Sequence, residues 1–233
     1  MNDYIDSIID HMQVRPNQTL AEEVYLAMRQ AIIQGHIMEG QRINEKELSS
    51  RAHISRTPIR EALHRLTEEK LISYVPHVGA VVTRITPADV AEIFEIRIVL
   101  DRLATFHAMQ NMQAADFDAL DQLLTETEAA NQESDIPTVI HGFEAFNNFI
   151  YQQSQMPHLI LIVSRLRDYL KHLRDVSLNG QERRNKALQE HREIYELMRE
   201  QNRPELGRIL AEHLTYSKTF ILSEMAQGQQ HAN

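Results

Sequence analysis

Apolar residues recur every three or four positions along most of this chain, the pattern of amphipathic helices. Leu20, Val24, Met28, Ile32 and Ile33 form the first stripe, and Gly35 ends it. Between Arg42 and Arg65 the pattern breaks into two short helices joined by a tight turn. Asn44 and Glu47 stand at capping-box spacing, so a helix starts at Glu45, with Leu48 and Ala52 on its apolar side. His53 and Ile54 form the turn. Ser55 caps the next helix, and Pro58 falls in its first turn, where a missing amide costs nothing. Ile59, Ala62, Leu63 and Leu66 face inward, which leaves Arg56, Thr57 and Arg60 on the wet face. This is a helix-turn-helix pattern. The period then changes: residues 71–75 and 80–83 are two β-prone runs separated by Pro76-His77-Val78-Gly79, a hairpin wing.

Thr86-Pro87-Ala88-Asp89 opens a second region, with Thr as N-cap, Pro in the first turn and an early acid. The domain boundary is placed just before it, giving residues 1–84 and 85–233. Helices are expected over 87–109, 115–130, 137–153, 157–176, 182–200 and 204–225. Phe117, Leu120, Leu124 and Thr127 face inward in the second, Asp135 opens the third, and Asn179-Gly180 closes the fourth. With no strand pattern here, an antiparallel bundle follows. The fold class is therefore mainly α: an N-terminal winged helix-turn-helix plus a C-terminal antiparallel α-helical bundle. The ends, 1–17 and 227–233, are polar and read as loose.

Charge singles out one surface. Residues 42–65 hold six Lys and Arg against three Glu, a balance of +3, in a chain of net charge −9. Residues 1–84 balance to −1 and residues 85–233 to −8. The second region repels nucleic acid, and the basic island alone attracts it. There is no cysteine, no long apolar run and no signal-peptide pattern, so a cytoplasmic protein with no membrane partner is expected.

Polar side chains on apolar helix faces mark a second candidate site. Arg97 aligns with Val90, Ile93, Leu100 and Ala104. Asn147 aligns with Val139, Phe143 and Ile150. His191 aligns with Leu188, Ile194 and Met198, and His213 with Leu206, Ile209, Leu210 and Phe220. Buried polar groups need partners. A ligand carboxylate could serve Arg97 bidentately, though Asp101, four residues on, could instead pair with it.

Residues 27–83, and SRTPIREAL (55–63) most specifically, resemble the winged-helix domain of the GntR family of bacterial transcription regulators. Residues 87–225 resemble, more loosely, the FCD effector-binding domain of the FadR-type branch of that family. The resemblance implies that Lys46, Arg56 and Arg60 hold phosphates or base edges of double-stranded DNA, with Ser55 and Thr57 supporting them. It places His77 and Gly79 at a wing tip entering the minor groove. Arg56 and Arg60 are the expected specificity residues, since a bidentate arginine–guanine pair discriminates by ~1–3 kcal/mol. Lys46, a point charge, serves affinity. The resemblance further implies a homodimer on a pseudo-palindromic operator, acting as a repressor. A small organic-acid effector would bind through Arg97, Asn147, His191 and His213.

In relatives this pocket holds a divalent metal, such as zinc or nickel, on one Asp and three His. His191 and His213 match two of those positions, while Phe143 and Asn147 fall at the others. Phenylalanine cannot ligate and an amide ligates poorly, so His191, His213 and Asn147 make a weak metal set. A one-residue slip would bring Glu144 into play instead. The competing reading is a helical metallo-enzyme using His191 and His213, with an accessory nucleic-acid-binding domain. It lacks paired carboxylates, a nucleophile–base pair and a Gly-rich phosphate loop, so no enzyme is expected.

Overall fold

The computed structural model describes residues 3–12 and 18–231, with side chains to residue 227. The chain forms two compact units, Met1–Ile85 and Thr86–Asn233.

In the first unit, helix α1 (Tyr4–His11) precedes α2 (Leu20–Ile33), α3 (Glu45–Arg51) and α4 (Arg56–Glu68). Strands β1 (Ile72–Val75) and β2 (Gly79–Val82) follow and pair antiparallel, Ile72 opposite Val82. Helix α1 corrects the expectation of a loose N-terminus over its length: Ile5 and Ile8 are fully buried, and α1 packs on α2. Residues 1–2 and 13–17 of that stretch lie outside the described residues. In α2 the stripe holds at Val24, Met28 and Ile33, but Leu20, the first residue of the helix, is 42% exposed. Tyr25, Ala27 and Ala31 take up the buried face, which packs on α4.

Helix α3 starts at Glu45 with Asn44 as cap, whose Oδ1 accepts from the Glu47 amide at 3.2 Å. The Glu47 carboxylate does not return to the cap backbone. It accepts from Asn44 Nδ2, and the Asn44 amide donates instead to Tyr4 Oη at 3.0 Å, so α1 braces the start of α3. His53 adopts φ 55° in the turn. Residues 40–43 run along β2, with Gly40 and Ile43 amides donating to Val82 and Ala80 carbonyls, so the wing is anchored at its base. Gly79 has φ 102°, a conformation that requires glycine, although a Cβ there would meet nothing within 4 Å.

The second unit is built from seven helices among its described residues: α5 (Pro87–Asn111), α6 (Ala114–Gln132), α7 (Ile136–Gln153), α8 (Pro157–Tyr169), α9 (Lys171–Ser177), α10 (Gln181–Arg199) and α11 (Arg203–His231). Thr86 and Asp89 form a complete capping box for α5, and Asp135 caps α7. The helix expected over 157–176 is two. At Leu170 the backbone turns to φ −98°, ψ 2°, and its amide bonds the Arg167 carbonyl three residues back, a 3₁₀-type step that breaks the axis. Helix α11 continues to His231, so residues 227–231 of the stretch expected to be loose are helical, and residues 232–233 lie outside the described residues.

Helix α5 packs on α7, α8 and α11, and α6 packs on α7 and α10. The main core joins Met109, Leu120, Leu124, Phe146, Ile150, Ile194, Met198 and Leu206. Helices α6 and α7 touch through Gly142, where a Cβ would fall 2.2 Å from Thr127 Oγ1.

Candidate functional site

The head of α4 is one candidate surface. Ser55, Arg56, Thr57 and Arg60 are exposed there, while Ile59, Ala62, Leu63 and Leu66 bury the other face. Ser55 occupies the N-cap position by backbone geometry, but its hydroxyl makes no cap bond, contrary to the capping role expected of it. With Pro58 in the first turn, the helix start is set by the fixed proline φ, and the hydroxyl stays available. Lys46 is exposed on α3, and His77 is exposed at the wing tip beside half-buried Gly79.

Ion pairs thin the basic island considerably. Arg51 is held by Asp3 and Asp6, and Arg65 by Glu22. Arg60, with 64% of its side chain exposed, donates from Nε to Glu45 Oε2 at 2.9 Å. Lys46 and Arg56 form no ion pair among the described residues. The net positive field at this surface therefore comes mainly from those two groups and Arg42.

The second candidate lies inside the helical unit. Arg97, Asn147, His191 and His213, from four different helices, all line one cavity with about 50 Å³ of room for the centres of water-sized molecules. A smaller cavity beside it shares Asn147, His191 and His213. Arg97 is 6% exposed, and its Nη2 donates to Asp101 Oδ2 at 2.8 Å. Tyr151 donates to the other oxygen of Asp101 at 2.9 Å. The local pairing of Arg97 with Asp101 is thus real. Burial works against the Arg97 charge, but Asp101 and Tyr151 together outweigh it and hold the guanidinium protonated. Its Nε still has no acceptor.

Asn147 turns its amide nitrogen back onto its own helix, donating to the Phe143 carbonyl at 2.7 Å. That leaves its oxygen and one N–H for a ligand. The His191 ring stacks on Phe146 at 4.2 Å between centroids, meets Phe143 edge-on at 5.1 Å, and lies 5.0 Å from the His213 ring. Burial, with the nearby His213 and Arg183, pushes its pKa well below the usual 6.5, so it is neutral, and Nδ1 has no partner. His213 Nδ1 lies 2.6 Å from Glu190 Oε2. Burial disfavours the Glu190 carboxylate, yet the His213 hydrogen bond and the charges of His213, Lys186 and Arg183 hold its pKa below the ordinary value.

The residues at the metal-binding positions do not fit a metal. Phe143 lines the cavity itself, and Glu144 is taken by Lys171 and by Arg174, the latter at 2.8 Å. No group of three or more His, Cys, Asp or Glu is gathered for an ion among the described residues. Two imidazoles and one amide oxygen remain, a poor set for zinc or nickel.

Three cavity arginines were not singled out in the sequence. Arg167 and Arg183 are buried, and Arg174 is half-buried. Arg167 follows Leu159 and Val163 at four-residue steps, and Arg183 precedes Ala187 and His191 in the same way, so the rule that marked Arg97 also reaches both. Arg184, its neighbour, is structural: it donates to the Leu178 and Asn179 carbonyls and to Asn131.

Residues 20–82 match the family described as bacterial regulatory proteins, gntR family, and residues 92–216 match the FCD domain. The HTH-type transcriptional regulator YdhC of Bacillus subtilis is 27% identical over 209 residues, covering 89% of this chain and 93% of its own. The HTH-type transcriptional repressor RspR of Escherichia coli is 23% identical over 202 residues, 87% of this chain and 89% of its own. Among solved structures, E. coli McbR/YncC shares the fold at TM-score 0.71 and 21% identity, over 89% of this chain and 99% of that one. A GntR regulator from Rhodococcus sp. RHA1 does so at TM-score 0.68 and 20% identity, over 87% and 97%.

Proposed function

The chain belongs to the GntR family of bacterial regulatory proteins, in its FCD-domain branch, and from that premise we propose how its two units divide the work. A transcription regulator of this family binds DNA and is not an enzyme. Residues 1–84 are the DNA-binding domain, and residues 85–233 the effector-binding and dimerisation domain. The head of α4 enters the major groove, with Arg56 and Arg60 reading base edges, Ser55 and Thr57 bonding phosphates, and Lys46 adding affinity. His77 and Gly79 carry the wing to the minor groove. One observation carries this reading: a helix buried along one face presents two arginines and two hydroxyls, all exposed, from its first turn and a half. Arg60 must exchange Glu45 for its DNA partner on binding, a modest cost for a pair whose arginine is 64% exposed.

The protein acts as a homodimeric repressor on a pseudo-palindromic operator, with half-sites about one helical turn apart. A small organic acid in the cavity, contacted by Arg97, Asn147, His191 and His213 without a metal, shifts DNA affinity by a coupling of ~1–3 kcal/mol. The excess of guanidinium groups over carboxylates along the cavity wall supports an acid.

Fluorescence anisotropy on the protein's own promoter DNA tests the DNA reading. Arg56→Ala with Arg60→Ala is expected to remove preference for the operator over unrelated DNA, at ~1–3 kcal/mol for each lost base contact. Lys46→Ala is expected to weaken both DNAs alike and to flatten the salt dependence by about one phosphate contact. Operator preference unchanged in the double variant would overturn the assignment.

A further inference from the structure

Four guanidinium groups line the cavity, from Arg97, Arg167, Arg174 and Arg183. Asp101 answers Arg97, and Glu144 answers Arg174. Glu190 is engaged by His213 and by Lys186. Arg167 and Arg183 have no carboxylate in ion-pair range among the described residues, though they are only 8% and 5% exposed. Their hydrogen bonds go to neutral groups. Arg167 Nη1 donates to Asn148 Oδ1 at 2.6 Å, and Arg183 Nη2 donates to Ser217 Oγ at 2.7 Å. Arg167 Nε, Arg183 Nε and Arg183 Nη1 have no acceptor at all. Burying a cation without its counter-charge is costly, and a chain of net charge −9 does not lack acids to place there. Two such cations in one cavity mark a place reserved for negative charge from outside.

The two cations are held by different helix pairs, Arg167 of α8 by Asn148 of α7 and Arg183 of α10 by Ser217 of α11. Burial weakens both charges. Arg167 otherwise feels Tyr151, Arg174, Arg97 and Asp101, whereas Arg183 feels Glu190 and Tyr216. His191, two turns along α10 from Arg183, adds its unpartnered Nδ1 to the lining. Apolar side chains (Phe94, Phe143, Leu214 and Ile221) complete the wall and would suit a hydrocarbon spacer. A ligand with two anionic groups can answer both cations, whereas one with a single anionic group brings counter-charge for only one.

We infer that the cavity takes a short-chain dicarboxylate, one carboxylate on Arg183 with His191 and the other on Arg167, with no metal ion between protein and ligand. This rests on the reading of the cavity as the effector site, and it adds Arg167 and Arg183 as the residues that choose the ligand class.

The test is calorimetry on the full chain with EDTA in every buffer. Succinate, glutarate and adipate are compared with their monomethyl esters, with butyrate and with inorganic phosphate. At least one diacid is expected to bind about tenfold or more tighter than its own ester, the scale of one lost charge-assisted pair. Arg183→Gln and Arg167→Gln are each expected to erase that preference while keeping the parent melting curve. Should a variant fail to fold, the ester comparison on the parent protein still decides. No diacid preference, tighter binding of phosphate than of every diacid, or binding that appears only after zinc or nickel is restored would each overturn the inference. Operator titrations separate this from the wider reading. If a monocarboxylate alters DNA affinity while no diacid binds, the dicarboxylate inference fails and the effector reading stands. If a diacid binds as described and no acid alters DNA affinity, the effector reading fails instead.

Discussion

His191 couples the stability of the helical unit to pH. The ring sits 3% exposed against Phe146 and Phe143, and burial lowers its pKa well below 6.5, so the folded protein keeps it neutral. The unfolded chain binds a proton there as pH falls through about 6.5, and the folded chain does not. Its contribution is therefore complete above that pH and is lost progressively below it. Urea melts between pH 5 and 8 are expected to show stability falling on the acid side, with that slope reduced in His191→Phe, which keeps the ring stacking. An unchanged slope would place the acid sensitivity elsewhere. Individual residues were unevenly legible in the sequence. Arg97, Asn147, His191 and His213 could be found because each interrupts an apolar stripe. Arg167 and Arg183 obey the same rule, but an arginine among other charged residues (Arg165 and Asp168 beside the first, Glu182 and Arg184 beside the second) also reads as an ordinary solvated charge, and only burial distinguishes the two. Arg51, Arg60 and Arg65 raise the local charge count, yet their partners Asp3, Asp6, Glu45 and Glu22 are brought to them by the fold.

Among the elements, α1 matters beyond its eight residues. Its Ile5 and Ile8 are fully buried, Tyr4 accepts from the Asn44 amide at the start of α3, and Asp3 and Asp6 hold Arg51 at its end. One short helix thus fixes both ends of the first helix of the helix-turn-helix. Ile8→Ala is expected to cost ~2–5 kcal/mol, the range for truncating a buried isoleucine, in denaturant melts of the first unit's transition. Operator affinity should fall with it as α3 loses its brace. Sequence reading passed over α1 because a single turn or two of apolar spacing among polar residues carries little periodic signal. The long stripes were legible for the opposite reason. Helices α5, α6, α7, α10 and α11 each repeat their apolar face over many turns and carry explicit start signals, such as Thr86, Asp135 and Pro204. The break between α8 and α9 has no Gly or Pro to announce it. It depends on how Leu170, 1% exposed, must sit in the core.

At the scale of the whole molecule, the two faces of α5 carry different obligations. One face holds Arg97, Asp101 and Ala104, all buried. The other exposes Ile96 at 40%, Val99 at 55% and Leu103 at 39%, three apolar side chains at helical spacing. Helix α8, which packs against α5, exposes Leu161 and Ile162 as well. A patch of this kind on an otherwise acidic unit is what a self-complementary interface between two copies requires. Val99→Glu would bring a carboxylate against its own symmetry mate and leave two charges desolvated. The parent protein is expected to elute at twice the 27.0 kDa chain mass in light scattering, and the variant at the single mass. Operator affinity should then drop by about 10²–10⁴-fold, because each half-site contact loses the effective concentration supplied by its linked twin. Affinity for an isolated half-site should stay unchanged, since the head of α4 is untouched. Cavity ligands should still bind the monomer, because Val99 is not among the residues that line the cavity. A variant that stays dimeric with full operator affinity would move the interface off α5.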